Sequence, residues 1–107
     1  MIVSGSENIY PAEIEAVLDA HPAIVEVAVI GIPDPKWGES VKAVIVRRAG
    51  TDLTEQGLRD WMLDKLAGYK RPRSIDFIEQ LPRNASGKIL ERTLREAYWQ
   101  GYDRRVN

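Results

Sequence analysis

Cysteine is absent from the 107 residues, which excludes disulfides and Cys-based zinc sites and leads us to expect a cytoplasmic setting. Histidine occurs once. His21 has no candidate metal partner, and at the end of an expected helix its charge would suit the helix dipole. No uninterrupted apolar run approaches the ~20 residues that a membrane helix requires. Met1-Ile2-Val3-Ser4 lacks both the basic start and the long apolar stretch of a signal peptide, so none is expected. A basic surplus is missing too: 15 Lys and Arg face 16 Asp and Glu, for a net charge of −1. With a pI near 5.8, a general nucleic-acid binder starts at a disadvantage.

What remains is an ordinary globular composition, 44% apolar and 29% charged, at a length that suits one domain. Pro11 stands at an expected helix start, with Ile14, Val17 and Leu18 at helical spacing and His21-Pro22 as a stop. Glu13 and Glu15 read as surface charges of that helix. Ala23 to Ile32 is β-branched and interrupted only by Glu26, with Val25, Val27 and Val29 on one face. A turn-rich loop leads to a second strand over about 39–47, which pairs antiparallel with the first. Thr54 caps a helix with Leu58, Trp61, Met62 and Leu66 on one stripe, ended by Gly68. A third strand covers 74–78. A last helix from about Leu90 to Trp99 turns Leu90, Leu94, Ala97 and Tyr98 inward, and 100–107 is expected to be a loose tail. The expectation is an α+β domain, a small three-stranded sheet with helices packed on it, in the order α-β-β-α-β-α. Residues 1–8 carry a polar loop, Ser4-Gly5-Ser6-Glu7-Asn8, with no leading turn or cap, as if the chain were cut from something longer.

The stretch Leu81-Pro82-Arg83-Asn84-Ala85-Ser86-Gly87-Lys88 has turn chemistry throughout and ends on a lysine. A phosphate-binding P-loop needs a glycine five residues before the Gly-Lys pair and Ser or Thr after it; Pro82 and Ile89 stand there instead. On its own, Lys88 is either a solvated charge or a cation delivered to an anion.

Four segments in order, "SGSENIYPAEIE" (4–15), "GIPDPKWGE" (31–39), "YKRPR" (69–73) and "LPRNASGKILERTLRE" (81–96), together resemble the C-terminal domain of adenylate-forming enzymes. The likeness is strongest to fatty-acyl-CoA ligases. It implies a lid-like domain, inactive alone, that works with a large N-terminal domain holding ATP, Mg2+ and a carboxylic acid. The acid attacks the α-phosphate of ATP to give an acyl-adenylate, and coenzyme A then displaces AMP. The small domain rotates between the two steps and presents a different face to each.

The resemblance makes Lys88 the catalytic lysine of the first step, supported by the loop of Ser86 and Gly87. A positioned ammonium would offset the repulsion between carboxylate and polyphosphate without moving a proton. In relatives the spacing from Pro82 to Gly87-Lys88 marks a lysine that protein acetyltransferases modify, which makes such an enzyme an expected partner. For the second step it implies that the loop of Gly5, Ser6, Glu7 and Asn8 enters the active site. Many relatives have two glycines where this chain has Gly5-Ser6.

Trp37 reads either as a rim residue on Pro33 or Pro35, or as a platform for the adenine of coenzyme A. Tyr69, Arg71 and Arg73 match positions that contact coenzyme A in some relatives, whereas Lys70 reads as a solvated charge. The competing expectations are an adenylation domain that loads a carrier protein and, from another class, a nucleic-acid module built on Arg71 and Arg73. Too few aromatics stand beside those arginines to favour the latter.

Overall fold

Two long antiparallel strands organise the chain, β3 (Ile24–Asp34) and β4 (Gly38–Arg47). The computed structural model describes residues 1–106, with residues 100–106 through their backbone only. Both strands are rich in β-branched residues because both of their faces are covered. On one face Val27, Val29, Val41, Ala43 and Ile45 meet Ile14 and Leu18 of α1 (Pro11–Asp19) and Leu58 and Met62 of α2 (Glu55–Met62). On the other, Ala28, Ile30 and Val44 meet Leu81 and the half-buried Leu94 and Tyr98 of α3 (Glu91–Val106). The sheet is thus the middle of three layers.

The third expected strand, β5 (Ser74–Ile78), lies parallel to β4 with Ala43 opposite Ile75. Two further strands correct the three-stranded expectation. The chain opens with a hairpin of β1 (Ile2–Ser4) and β2 (Glu7–Ile9), giving five strands in all. Gly5 has φ +60° and Ser6 does not share the positive φ, the pattern of a two-residue type II′ turn. The segment expected as a polar loop is therefore a turn between strands, with Ile2 and Ile9 buried in the core. A single bridge, Ser4 opposite Gly38, joins this hairpin to β4.

Four local expectations also change. The ladder shifts register between Ile24 and Glu26, which throws Val25 outward (45% exposed) while Val27 and Val29 stay inside. Helix α2 stops at Met62 rather than Gly68. Its end tightens into short-range bonds, Leu63 N–H to the Asp60 carbonyl and Lys65 N–H to that of Met62, so that Leu66 still tucks into the core. Ala97 is exposed, and the inward place beyond Tyr98 goes to Trp99, whose Nε1 donates to the Gly31 carbonyl (2.8 Å). The helix runs on to Val106 instead of ending at Trp99. The side chains of the expected loose tail, and Asn107, lie outside the described residues.

One polar cluster pins α3 to the sheet. Lys42, almost fully buried, pairs with Asp76 at 3.0 Å, and the Tyr98 hydroxyl donates to the same carboxylate at 2.5 Å. Burial, followed by the bond to Asp76, pushes the Tyr98 hydroxyl up to about 12, so it remains a donor at neutral pH.

Candidate functional site

The Lys88 loop is closed by a bridge between Arg83 and Ile89 and by the Leu90 N–H donating to the Pro82 carbonyl (2.8 Å). Buried Leu81 anchors one end in the core. Within the loop, Asn84 Oδ1 accepts from the Ser86 N–H (3.0 Å), the Ser86 hydroxyl (2.8 Å) and the Lys88 N–H (3.0 Å). The Asn84 N–H donates to the Lys88 carbonyl and the Gly87 N–H to that of Asn84, each at 3.0 Å. Gly87 takes φ +86°, where other residues are strained, and apart from its chain neighbours no described residue lies within 4 Å of where its Cβ would stand. The glycine is needed for its backbone angle rather than for tight packing within this chain.

The result is a rigid turn with an exposed lysine at its end. Among the described residues the Lys88 ammonium has no ion-pair or hydrogen-bond partner. It borders an open groove of about 710 Å3 lined also by Glu91 and by Arg83 and Arg92, both of which are already ion-paired. An unpaired ammonium on a preorganised loop is suited to meeting an anion supplied from outside.

A second constellation forms where β1 meets the β3–β4 turn. Asp34 Oδ1 accepts from the Lys36 N–H (2.8 Å) and the Trp37 N–H (3.0 Å), and this folds the Pro-rich turn. The Gly5 N–H donates to the Trp37 carbonyl (2.8 Å), and a Cβ on Gly5 would stand 2.9 Å from Trp37 Cε3. The Arg73 guanidinium lies 4.9 Å and the Lys36 ammonium 4.8 Å from the Trp37 ring centroid. Gly5, Trp37 and Arg73, drawn from three distant stretches of sequence, thus share one surface.

Arg73 continues from there into a pocket of about 300 Å3, lined also by Arg59, Arg71 and Pro72. Arg59 is already engaged with Glu55 (2.8 Å) and the Arg73 carbonyl (2.8 Å). Arg71 is not: its Nε is buried with no hydrogen-bond partner among the described residues.

The other expected residues are less converged. Ser6 is exposed at the hairpin tip, and Glu7 and Asn8 are exposed on β2. Tyr69 is 47% exposed on a 3-10 turn (Gly68–Lys70), where the Lys70 ammonium stands 5.7 Å from its ring centroid. Lys70 is not a merely solvated charge, because it pairs with Glu13 at 2.7 Å. The two constellations sit toward opposite ends of the β3–β4 hairpin. Arg83 pairs with Glu26 near one end, and Trp37 follows Asp34 at the other. Asp34 lies eight residues along the strand from Glu26, or roughly 26 Å.

Sequence reasoning missed three carboxylates. Glu39 Oε2 accepts from the Val3 N–H (2.9 Å) and Oε1 from Arg95 (3.1 Å), tying the first hairpin to α3. Glu26 is the partner of Arg83. Glu15, expected on the surface, is half-buried and accepts from the Val29 N–H (2.9 Å), covering the open edge of β3. Its place three residues before Leu18, flanking the apolar stripe, was the available signal. Burial first, then the adjoining carboxyl of Glu91, pushes Glu15 up to about 7.

That shift has a sign that can be tested. The folded state favours protonated Glu15, so stability falls as pH rises from the usual 4.5 through 7. Glu15→Gln should therefore be the more stable form at pH 8, by on the order of 1–2 kcal/mol after solvent screening, and the gain should vanish near pH 4.5. Denaturant unfolding at several pH values measures this, and a pH-independent difference would refute it. His21 moves the opposite way to its expected role. Burial, then the nearby Lys65 charge, lowers it, and its Nδ1 accepts from the Ala23 N–H (3.0 Å), so the ring is held neutral.

Known proteins converge on the same fold. The family model for the AMP-binding enzyme C-terminal domain matches residues 13–88. The chain is 44% identical over 106 residues to a fatty acid–[acyl-carrier-protein] ligase, ScoC, of Streptomyces coeruleorubidus, covering 99% of the chain and 20% of that protein. It is 49% identical over 98 residues to a long-chain-fatty-acid–CoA ligase, FadD13, of Mycobacterium tuberculosis, covering 92% and 19%. The structure of a Mycobacterium tuberculosis fatty acyl CoA synthetase superposes with a TM-score of 0.87 at 48% identity, over 94% of this chain and 20% of that one. The chain thus spans about a fifth of the length of the curated relatives it matches.

Proposed function

The chain belongs to the AMP-binding enzyme C-terminal domain family, and on that premise we propose that it is the mobile domain of a cytoplasmic, ATP-dependent acyl-CoA ligase. Working with a large ATP-binding domain, it brings Lys88 to the adenylation of a carboxylic acid. It then turns to offer the surface of Gly5, Trp37 and Arg73 to coenzyme A. The observation that carries this reading is the separation of the two surfaces, one ending in an unpaired ammonium and the other combining an aromatic ring with arginines.

In the first step the Lys88 ammonium would lie between the acid's carboxylate and the α-phosphate, offsetting their repulsion. In the second, Trp37 would stack on the adenine, and the Arg71–Arg73 pocket would receive a phosphate of coenzyme A. The Mg2+ that accompanies ATP would be held mainly by the large N-terminal domain together with the nucleotide's phosphates. The exposed Lys88 is also open to a lysine acetyltransferase, and acetylation would cancel its charge.

A carrier-protein thiol is the second reading, favoured by the likeness to a fatty acid–[acyl-carrier-protein] ligase. The complete enzyme, given ATP and a fatty or aryl acid, should release pyrophosphate only when the acid is present. It should then form thioester with coenzyme A faster than with a phosphopantetheinylated carrier protein. Preference for the carrier would replace the first reading by the second. Release of pyrophosphate without acid, or none at all, would overturn both.

A further inference from the structure

We propose that Arg83 is a positioning residue that fixes the direction in which Lys88 leaves its loop; this rests on the reading of Lys88 as the adenylation lysine. A peptide group is planar, so fixing its N–H and its carbonyl together fixes the orientation of the whole unit. The Gly87–Lys88 peptide is held at both ends by side chains. Its N–H donates to Asn84 Oδ1 (3.0 Å), and its carbonyl accepts from Arg83 Nη1 (2.5 Å). The position of the Lys88 Cα, and so the base of the ammonium's long stem, follows from these two bonds.

Asn84 is itself part of the loop, so its bonds stiffen the turn without orienting it on the body of the protein. Residues 83–88 are all exposed, so packing holds the loop only at its two ends, through Leu81 and Ile89, and leaves its tip unsupported. Arg83 supplies the missing link, because its Nη2 pairs with Glu26 of β3. The register shift before Glu26 gives it the parity of Ala28 and Ile30, on the α3 side of the sheet, where the loop lies. One guanidinium therefore connects the lysine's own peptide plane to the central hairpin. Lysine at position 83 cannot reproduce this, since it offers a point charge where arginine offers a fork.

A catalytic charge loses effect when its support loosens, because the geometry must be in place before the reaction. In the complete enzyme Arg83→Lys should slow acid-dependent pyrophosphate release about tenfold, acting on kcat more than on KM. Glu26→Gln, which frees the anchor but leaves the bond to Gly87, should slow it by about threefold. Both variants should make thioester from supplied acyl-adenylate and coenzyme A within about twofold of the parent, a split that general destabilisation does not produce.

Lys88→Ala, assayed beside them, separates the two ideas. Normal adenylation in both Arg83→Lys and Glu26→Gln, next to a disabled Lys88→Ala, would overturn the positioning role alone. Equal slowing of both half-reactions in both variants would also overturn it. An active Lys88→Ala would overturn the reading of Lys88 and the positioning role with it.

Discussion

Lys88→Ala in the complete enzyme should reduce adenylate formation a hundredfold or more and leave thioester formation from pre-made acyl-adenylate nearly intact. The size follows from the site. A preorganised charge in a water-poor active site contributes on the order of 3–4 kcal/mol to the transition state, and 1.36 kcal/mol is worth a factor of ten. Among the described residues Lys88 has no ion pair, so alanine removes a charge without stranding a buried partner there. The loop's bonds to Asn84 are made by backbone groups and by Ser86, and they survive the change.

Stability should therefore stay within about 0.5 kcal/mol of the parent, as for most exposed positions. The acetylated lysine should mimic alanine in the first half-reaction, since both remove the charge. Single-turnover measurement of each half-reaction decides the matter. Near-normal pyrophosphate release from enzyme carrying acetyl-lysine at 88 would dismiss acetylation as a control. Equal slowing of both halves by Lys88→Ala would point to a structural defect and remove the two-surface mechanism.

Local chemistry made parts of this molecule legible in advance. Pro11 starts a helix because its fixed φ and missing N–H fit that position, and the Thr54 side chain caps α2 by accepting from the Gly57 N–H. The long strands showed because both faces are apolar. The Lys88 loop showed because Asn, Ser and Gly favour turns for local reasons.

The first hairpin was hidden by its brevity. Three residues on each side give no period to count, although Gly-Ser between Ile-Val-Ser and Glu-Asn-Ile is a recognised two-residue turn signal. The register shift at Val25 and the burial of Glu15 depend on partners far away in sequence, and no window around either residue contains them. The same holds for the second surface. Trp37 and Arg73 were singled out separately, but their contact, and Gly5 flush beneath the ring, exist only once β1, the β3–β4 turn and β5 are assembled.

That close fit sets the effect of Gly5→Val. Gly5 has φ +60°, a region that costs a residue with a Cβ roughly 1–2 kcal/mol and is worse for a β-branched one. Its Cβ would also stand 2.9 Å from Trp37 Cε3, so the indole must give way. The Trp37 backbone cannot draw away to make room, because its N–H is bonded to Asp34 and its carbonyl to the Gly5 N–H, so the change falls on the indole's own rotation. Displacing the indole moves it off the Arg73 guanidinium and changes the surface proposed for coenzyme A.

A loss of a few kcal/mol in a two-residue turn should leave the domain folded, since domains of this size have roughly 5–15 kcal/mol in reserve. Thioester formation should then fall at least tenfold at fixed coenzyme A, with pyrophosphate release within about twofold of the parent. Trp37→Ala provides the comparison. It removes the platform without straining the turn, so it should raise the KM for coenzyme A with a smaller change in kcat. Should Gly5→Val slow adenylation as much as thioester formation, the hairpin is simply structural. Should both variants use coenzyme A normally, this surface is not where it binds.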